Sequence, residues 1–286
     1  KLLFSIHQII KQKGITIVHT HHRMAAFYIR LLKFVYPKLT HVYTAHNVFK
    51  DKLPLYRFAL KNAKSVAVGE AVNNNLKEDV GITDSKVIYN GVILKETDNQ
   101  VDNIVGYDGI KLGCIARLSE QKGLTYLIEA MSLLTVKNIR LFIVGDGELR
   151  NELENKVEEL HLQDSVTFLG YRKDIVECIN SFDFLVSSSL FEGLALNVIE
   201  TFMNGKTMVA TDIPGINEIV NDENGILVPA KNPGALAGAI DKLATDVLLR
   251  NRLAFHAKKT YEEKFSYSMF LENYRALYRE IQGEPK

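Results

Sequence analysis

IKLGCIARLSEQKGLTYLIEA, residues 110–130, is the stretch from which the fold is read. It opens on a short, mostly apolar run, the pattern of a strand buried on both faces, and from Leu124 apolar residues return at helical spacing. Strand, turn and helix together make half of a βαβ unit. Downstream the alternation repeats: IRLFIVG (139–145) then ELRNELENKVEELH (148–161), SVTFLG (165–170) then DIVECINS (174–181), FDFLVSS (182–188) then LNVIETFMNG (196–205). Next come KTMVAT (206–211), INEIV (216–220, a helix start), GILVP (225–229) and a helix over 233–245. Upstream the same rhythm runs through GITIVHT (14–20), MAAFYIRLLKFVY (24–36), THVYTAH (40–46), LYRFALKNA (55–63), SVAVG (65–69), AVNNNLKEDV (71–80) and KVIYNGV (86–92). Apolar strands each followed by an amphipathic helix build parallel sheets covered on both faces.

Length and composition agree. The chain has 286 residues, 47% hydrophobic and 24% charged, which excludes disordered, collagen-like and coiled-coil classes. No run approaches the ~20 apolar residues of a membrane-spanning helix. Two cysteines, Cys114 and Cys178, can make neither a disulfide framework nor a four-thiolate zinc site; buried free thiols in a reducing compartment are expected, with a single bridge between them as the alternative. The formal net charge of +1 hides an asymmetry: residues 1–95 carry +10 and the remainder −9. A basic segment suits an anionic membrane surface or an anionic substrate, and no nucleic-acid-binding motif accompanies it.

The polar, turn-rich KETDNQVDNIVGYDG (95–109), where the charge changes sign, marks a boundary. The expected organisation is an α/β chain of two doubly wound parallel-sheet domains: residues 1–95, a linker 96–109, residues 110–265, and a closing helix within 266–286. The first domain is short for such an architecture, because the chain opens inside a helical pattern, KLLFSIHQIIKQKG, without an initiating Met or a first strand. A preceding segment or a partner completing the sheet is expected, and a targeting signal would lie outside this sequence.

In doubly wound sheets ligands bind outside the carboxyl ends of the strands. There, Arg117 and Lys122 stand five residues apart at a strand-to-helix turn, where two cations and helix amides suit a diphosphate. Two solvated surface cations would read the same way. In LFEGLALNVIE, Glu192 and Glu200 stand eight residues apart, the first before a helix and the second about two turns inside it. Carboxylates accept from sugar or ribose hydroxyls, and the amides of Leu194, Ala195 and Leu196 would face an anion. A dipole-satisfying carboxylate and a solvated glutamate are the plainer alternative. His19, His21, His22 and His46 end adjacent strands, which permits a metal reading, but carboxylates are lacking nearby and strand alternation separates His22 from the others. No two aspartates stand two positions apart, so there is no Asp-x-Asp metal motif.

The ordered series ARL, QKG, IVGDGELR, VTFLGY, SSSLFEGLALNVIE, NGKTMVATDIPGINEIV and NGILVP resembles the donor-binding domain of the retaining glycosyltransferases of family 4 (glycosyl transferases group 1). Those enzymes have the GT-B fold of two Rossmann-like domains facing a cleft. IVHTHHRMA, VYTAHN, VAVGEAV and VIYNGV are similar, more loosely, to its acceptor-side domain, and FSYSMFLENYRALYREI to its last helix, which crosses back to brace that domain. The resemblance implies that Arg117 and Lys122 neutralise the departing nucleotide diphosphate and that Glu200 holds the ribose. It places Glu192 and the Gly193, Leu194, Ala195, Leu196 turn by the donor sugar, Gly170 and Tyr171 by the base, and His21, rivalled by His19, His22 and His46, toward the sugar. Arg117, Lys122, Glu192 and His21 would be catalytic.

The activity implied by the resemblance is that of a metal-independent, cofactor-free retaining hexosyltransferase. Such an enzyme would move a sugar from a nucleotide donor, a UDP-sugar above all, to a glycan or glycolipid hydroxyl in bacterial polysaccharide or glycolipid synthesis. It would work in the cytoplasm, the basic first domain meeting the inner face of the cell membrane. The helix RMAAFYIRLLKFVYPK adds Arg23, Arg30, Lys33 and Lys38 to that field, while its apolar side is expected to pack into the core. A non-catalytic nucleotide-sugar-binding subunit or chaperone of a partner transferase is the alternative, and a GT-B epimerase or phosphorylase a third. The family's Gly-rich loop after its first strand has no counterpart here. Its Gly-Gly before a helix reads Pro214-Gly215-Ile216-Asn217-Glu218, and the second Gly of its Glu-Gly-x-Gly turn is Ala195.

Overall fold

The computed structural model describes residues 2–93, 104 and 106–283. They form two compact units, one from residues 2–90 and 270–283, the other from the described residues of 91–269. The first contains α1 (Leu2–Lys13), β1 (Ile17–Thr20), α2 (Arg23–Leu32), β2 (Thr40–Ala45), α3 (Leu53–Leu60), β3 (Lys64–Ala67), α4 (Glu70–Asn75), which runs into a π-helical turn, and β4 (Ser85–Val87). The second contains β5 (Ile110–Ile115), a 3₁₀ turn (Glu120–Lys122), α5 (Leu124–Ser132), β6 (Ile139–Val144), α6 (Arg150–Glu159), β7 (Val166–Gly170) and α7 (Ile175–Ser181). It continues with β8 (Phe184–Ser187), α8 (Leu196–Met203), β9 (Met208–Thr211), β10 (Ile226–Val228), α9 (Pro233–Thr245) and α10 (Val247–Thr260). The last helix, α11 (Tyr267–Gln282), starts in the second unit and finishes in the first.

Among the described residues all strand pairs are parallel. The second sheet has the order β10-β9-β8-β5-β6-β7, so the chain builds outward from β5 in one direction and from β8 in the other. The reversal between β5 and β8 is a topological switch point, and it opens a crevice at their carboxyl ends. Buried Leu112, Leu141, Phe184 and Val209 form the sheet side of the core, closed by α5 and α9 through Leu127, Ile128, Leu236 and Ile240. Gly113 in β5 is fitted to Phe182, because a Cβ there would lie 2.1 Å from the ring.

The first sheet runs β1-β2-β3-β4 in one direction. Right-handed crossovers that all progress the same way leave α2, α3 and α4 on one face. The other face is covered from the far end of the chain. Leu277 packs with Val42, Val66 and Ile88, flanked by Phe270, Tyr274 and Tyr278. Strand alternation sends Ile17 toward this cluster and Val18 to the cluster of Ile10, Ile29, Leu32 and Leu39. His19 follows Ile17: its Nδ1 meets the Tyr278 hydroxyl at 2.6 Å and its Nε2 meets Thr44 Oγ1 at 2.8 Å. Burial, with His21 and His46 nearby, pushes His19 down to about 4. His41, held through Nε2 by Thr20 Oγ1 at 2.8 Å, is likewise pushed down to about 4, chiefly by burial.

Two features depart from expectation. The helix Val247–Thr260 lies where the sequence pattern predicts none. Its apolar residues do not gather on one face: Leu248 and Phe255 are exposed while Leu253 and Ala257 are buried, so no single stripe betrays it. Conversely INEIV does not begin a helix. Ile216 and Asn217 amides both donate to Ile213 O, and Ile219 and Val220 to Ile216 O, which makes consecutive turns. Of the expected linker 96–109, residues 96–103 and 105 lie outside the described residues. Cys114 and Cys178 are both buried free thiols. No helix among the described residues is long and apolar enough to cross a membrane.

Gly113→Ala should cost about 1–3 kcal/mol in urea unfolding, because the new Cβ would meet the Phe182 ring, which is buried and stacked on Phe142. Acidification should weaken the first unit: the unfolded chain protonates His19 and His41 near 6.5, whereas the native rings stay neutral to about 4. Their contribution is therefore complete above roughly pH 6.5 and is lost progressively as pH falls toward and through about 4. Urea midpoints by circular dichroism should fall over that window, and His41→Gln should flatten the fall.

Candidate functional site

A cavity of about 670 Å³ opens over the switch point of the second sheet, walled by the segments that follow β5, β6, β7 and β8. Arg117, Lys122, Tyr171, Glu192, Leu194 and Leu196 line it, together with Asp146, Arg172 and Asn197. The two loops that carry Lys122 and Glu192 are sewn together. Ser188 Oγ donates to Lys122 O at 2.9 Å, the Leu190 amide donates to Gln121 O at 2.7 Å, and Gln121 Nε2 donates to Phe191 O at 2.9 Å. Gly123 permits this approach: its φ is +57°, and a Cβ would meet Ser188 O at 2.4 Å.

Glu192 is the centre of the arrangement. Its side chain is 8% exposed, and Lys122 Nζ stands 2.5 Å from Oε1. Ser189 Oγ donates to the same oxygen at 2.8 Å, and Gln121 Nε2 to Oε2 at 3.3 Å. A buried carboxylate is tolerated only with such company. The Gly215 turn backs the loop from behind: φ is +86°, and a Cβ would come 2.8 Å from Glu192 O. Arg117 is placed differently, at the rim, where its Nη2 pairs with Glu148 Oε2 at 3.0 Å and both groups are largely exposed.

The remaining expected residues divide. Leu196 is the first residue of α8, and Asn197 Nδ2 anchors that end of the helix to Ile115 O at 3.0 Å, at the end of β5. The Ala195 amide is already committed to Gly215 O at 3.2 Å, so it does not face an anion as expected. Gly193, Ala195, Gly170 and Glu200 are not among the cavity's lining residues. Glu200 is the fifth residue of α8, just over one turn in rather than two, because the helix starts only at Leu196. Its carboxyl is pushed up by burial. Gly170 ends β7 with φ +69° and accepts the Gly145 amide at 2.8 Å, while the neighbouring Tyr171 is on the wall and exposed. Gln121, Ser189 and Asn197 complete the polar lattice, and sequence reasoning does not single them out. Ser189 alone carries a signal, as the last of three serines leaving β8.

In the first unit the four histidines separate by role. His22 Nδ1 accepts the Met24 amide at 3.2 Å and caps α2. His19 faces α11 through Tyr278. His21 and His46, at the carboxyl ends of β1 and β2, join through Nδ1 and Nε2 at 3.0 Å. His21 stacks on His19 with ring centres 4.4 Å apart. Among the described residues no group of three or more His, Cys, Asp or Glu side chains is arranged to hold a metal ion.

An uncharacterized glycosyltransferase of Methanocaldococcus jannaschii is 32% identical over 216 residues, 68% of this chain and 55% of the relative, so the chain spans about half of that protein's length. The UDP-Gal:alpha-D-GlcNAc-diphosphoundecaprenol alpha-1,3-galactosyltransferase of Escherichia coli is 26% identical over 285 residues, 87% of this chain and 71% of the relative. The crystal structure of Anabaena HepE in complex with UDP superposes with a TM-score of 0.88 at 22% identity, over 96% of this chain and 81% of that one. The fold is thus GT-B. Residues 1–96 match the pattern of Glycosyltransferase Family 4, and residues 97–260 match that of Glycosyl transferases group 1. The chain belongs to the glycosyl transferases group 1 family.

Proposed function

We propose that the protein is a retaining, metal-independent hexosyltransferase that takes a sugar from a UDP-sugar bound in the second unit and delivers it to a hydroxyl of a glycan or glycolipid. The observation that carries this reading is the Lys122–Glu192 pair at the switch point: a cation and a sugar-hydroxyl acceptor side by side on one cavity wall. Arriving phosphate oxygens would share Lys122 with Glu192 and draw Arg117 from its exposed partner Glu148, placing two cations on the diphosphate. Their attraction grows as the bond from the anomeric carbon to the diphosphate breaks, so they stabilise the leaving group. A bond from the anomeric carbon to the acceptor oxygen forms on the same face, and the acceptor's proton goes to the released nucleoside diphosphate. Glu192, with Ser189 and Gln121 fixing its plane, would accept from the sugar hydroxyls. Leu194, Leu196 and Tyr171 on the cavity wall, with Glu200 on the ribose, would complete the donor site, and His21 would act on the acceptor side.

The donor assignment draws support from the UDP bound to HepE and the UDP-Gal in the Escherichia coli relative's name. That relative's diphosphoundecaprenol substrate fits the +10 charge of residues 1–95, which suits a lipid-linked anionic acceptor in bacterial polysaccharide or glycolipid synthesis. Exposed Phe34 and Val35 beside Arg30 and Lys33 would let the first unit rest on the inner face of the cell membrane.

Thermal shifts against UDP-, GDP- and ADP-sugars test the donor, since a ligand at 100 times its Kd stabilises the native state by ~2.7 kcal/mol. With the donor so identified, Lys122→Ala should lower kcat by about 10²-fold or more with a smaller change in donor affinity. Glu200→Ala should mainly weaken donor binding. Unchanged kinetics in both variants would reject the site.

A further inference from the structure

Tyr274 and Tyr278 lie four residues apart and therefore on one face of α11. Both aim their hydroxyls at the first sheet. Tyr278 OH meets His19 Nδ1 at 2.6 Å, His19 Nε2 meets Thr44 Oγ1 at 2.8 Å, and Thr44 Oγ1 meets Tyr274 OH at 2.8 Å. The four side chains form one chain of hydrogen bonds across β1 and β2, beginning and ending on the same helix. Both nitrogens of the His19 ring are engaged, which fixes its rotamer and plane. A neutral ring donates at one nitrogen and accepts at the other, so the direction of the chain also fixes its tautomer.

The fixed ring is a plate. His21, two residues on and on the same side of β1, lies against it with an interplanar angle of 27°. From there Nδ1 of His21 reaches Nε2 of His46 at 3.0 Å. His21 is exposed at the end of a strand, where a side chain without support exchanges rotamers freely. The ring beneath it and the His46 nitrogen beside it are what hold it.

We propose that Tyr274 and Tyr278, acting through Thr44 and His19, are positioning residues that set the ring geometry of the His21–His46 pair. The link between this chain and turnover rests on the role given to His21 above; the positioning itself does not. The titratable groups facing His19 are His21, His46, Tyr274 and Tyr278, with His41 close enough to sense it.

Imidazole nitrogen spectra of the full chain labelled at histidine provide the test. The parent should show one His19 tautomer and hydrogen-bonded shifts for His21 Nδ1 and His46 Nε2. In Tyr278→Phe and Thr44→Val, each nearly isosteric, the His19 nitrogens should average between tautomers and the His21 and His46 nitrogens should move to free-ring values. Release of UDP from UDP-glucose should slow about tenfold, with UDP affinity unchanged, as expected for one weakened hydrogen bond. Leu277→Ala, which loosens α11 without touching the chain, should lower the melting temperature and leave the nitrogens where they were. His21 and His46 spectra identical to the parent's in both Tyr278→Phe and Thr44→Val would overturn the proposal. His21→Ala separates the two levels: parental turnover there refutes the role of His21, while the spectra decide the positioning by themselves.

Discussion

A parallel sheet has no side that can be left to water, and each unit of this protein meets that requirement in its own way. The second has six described strands whose order reverses, so its own crossovers supply helices to both faces. The first has four described strands advancing in one direction, so its crossovers cover one face only. Leu277, Phe270 and the two tyrosines of α11 cover the other. The same reversal that completes the second sheet opens its crevice. Architecture and candidate site therefore share one geometrical cause.

At that crevice the electrostatics are arranged in advance. Glu192 sits in a nearly buried place beside an ammonium and two neutral donors, and Lys122 lies against its carboxylate. Each group offsets the desolvation of the other before any ligand arrives. Arg117 needs no such shelter, since it and Glu148 remain in contact with solvent and their pairing is easily exchanged. One cation is sheltered beside its carboxylate and the other is paired at the solvent-facing rim.

Much of this is legible in the sequence, for identifiable reasons. Doubly covered strands must be apolar along their length, so KTMVAT and FDFLVSS stand out from the helices around them. Lys122 and Glu192 stand out through the family resemblance, because a charged residue at a strand-to-helix turn reads equally well as a solvated side chain. Gln121, Ser189 and Asn197 do not, because polar residues in polar loops carry no period. The partner of Gln121 is also some seventy positions away. The depth of Glu200 differs from expectation because nothing between Glu192 and Leu196 announces where the helix begins. The helix Val247–Thr260 leaves no pattern because its burial rests on few residues, chiefly Leu253 and Ala257. The turns at 213–220 mimic a helix start, since Ile216, Ile219 and Val220 have helical spacing that Pro214 and Gly215 redirect.

The helix Tyr267–Gln282 makes the two halves inseparable by any single cut in the sequence. Cleavage after Met269 would strip the first sheet of a whole apolar wall and leave Val42, Val66 and Ile88 wet. Chimeras that exchange the second unit between relatives should therefore be spliced twice, near residue 91 and again near residue 269, so that each sheet keeps its own cover.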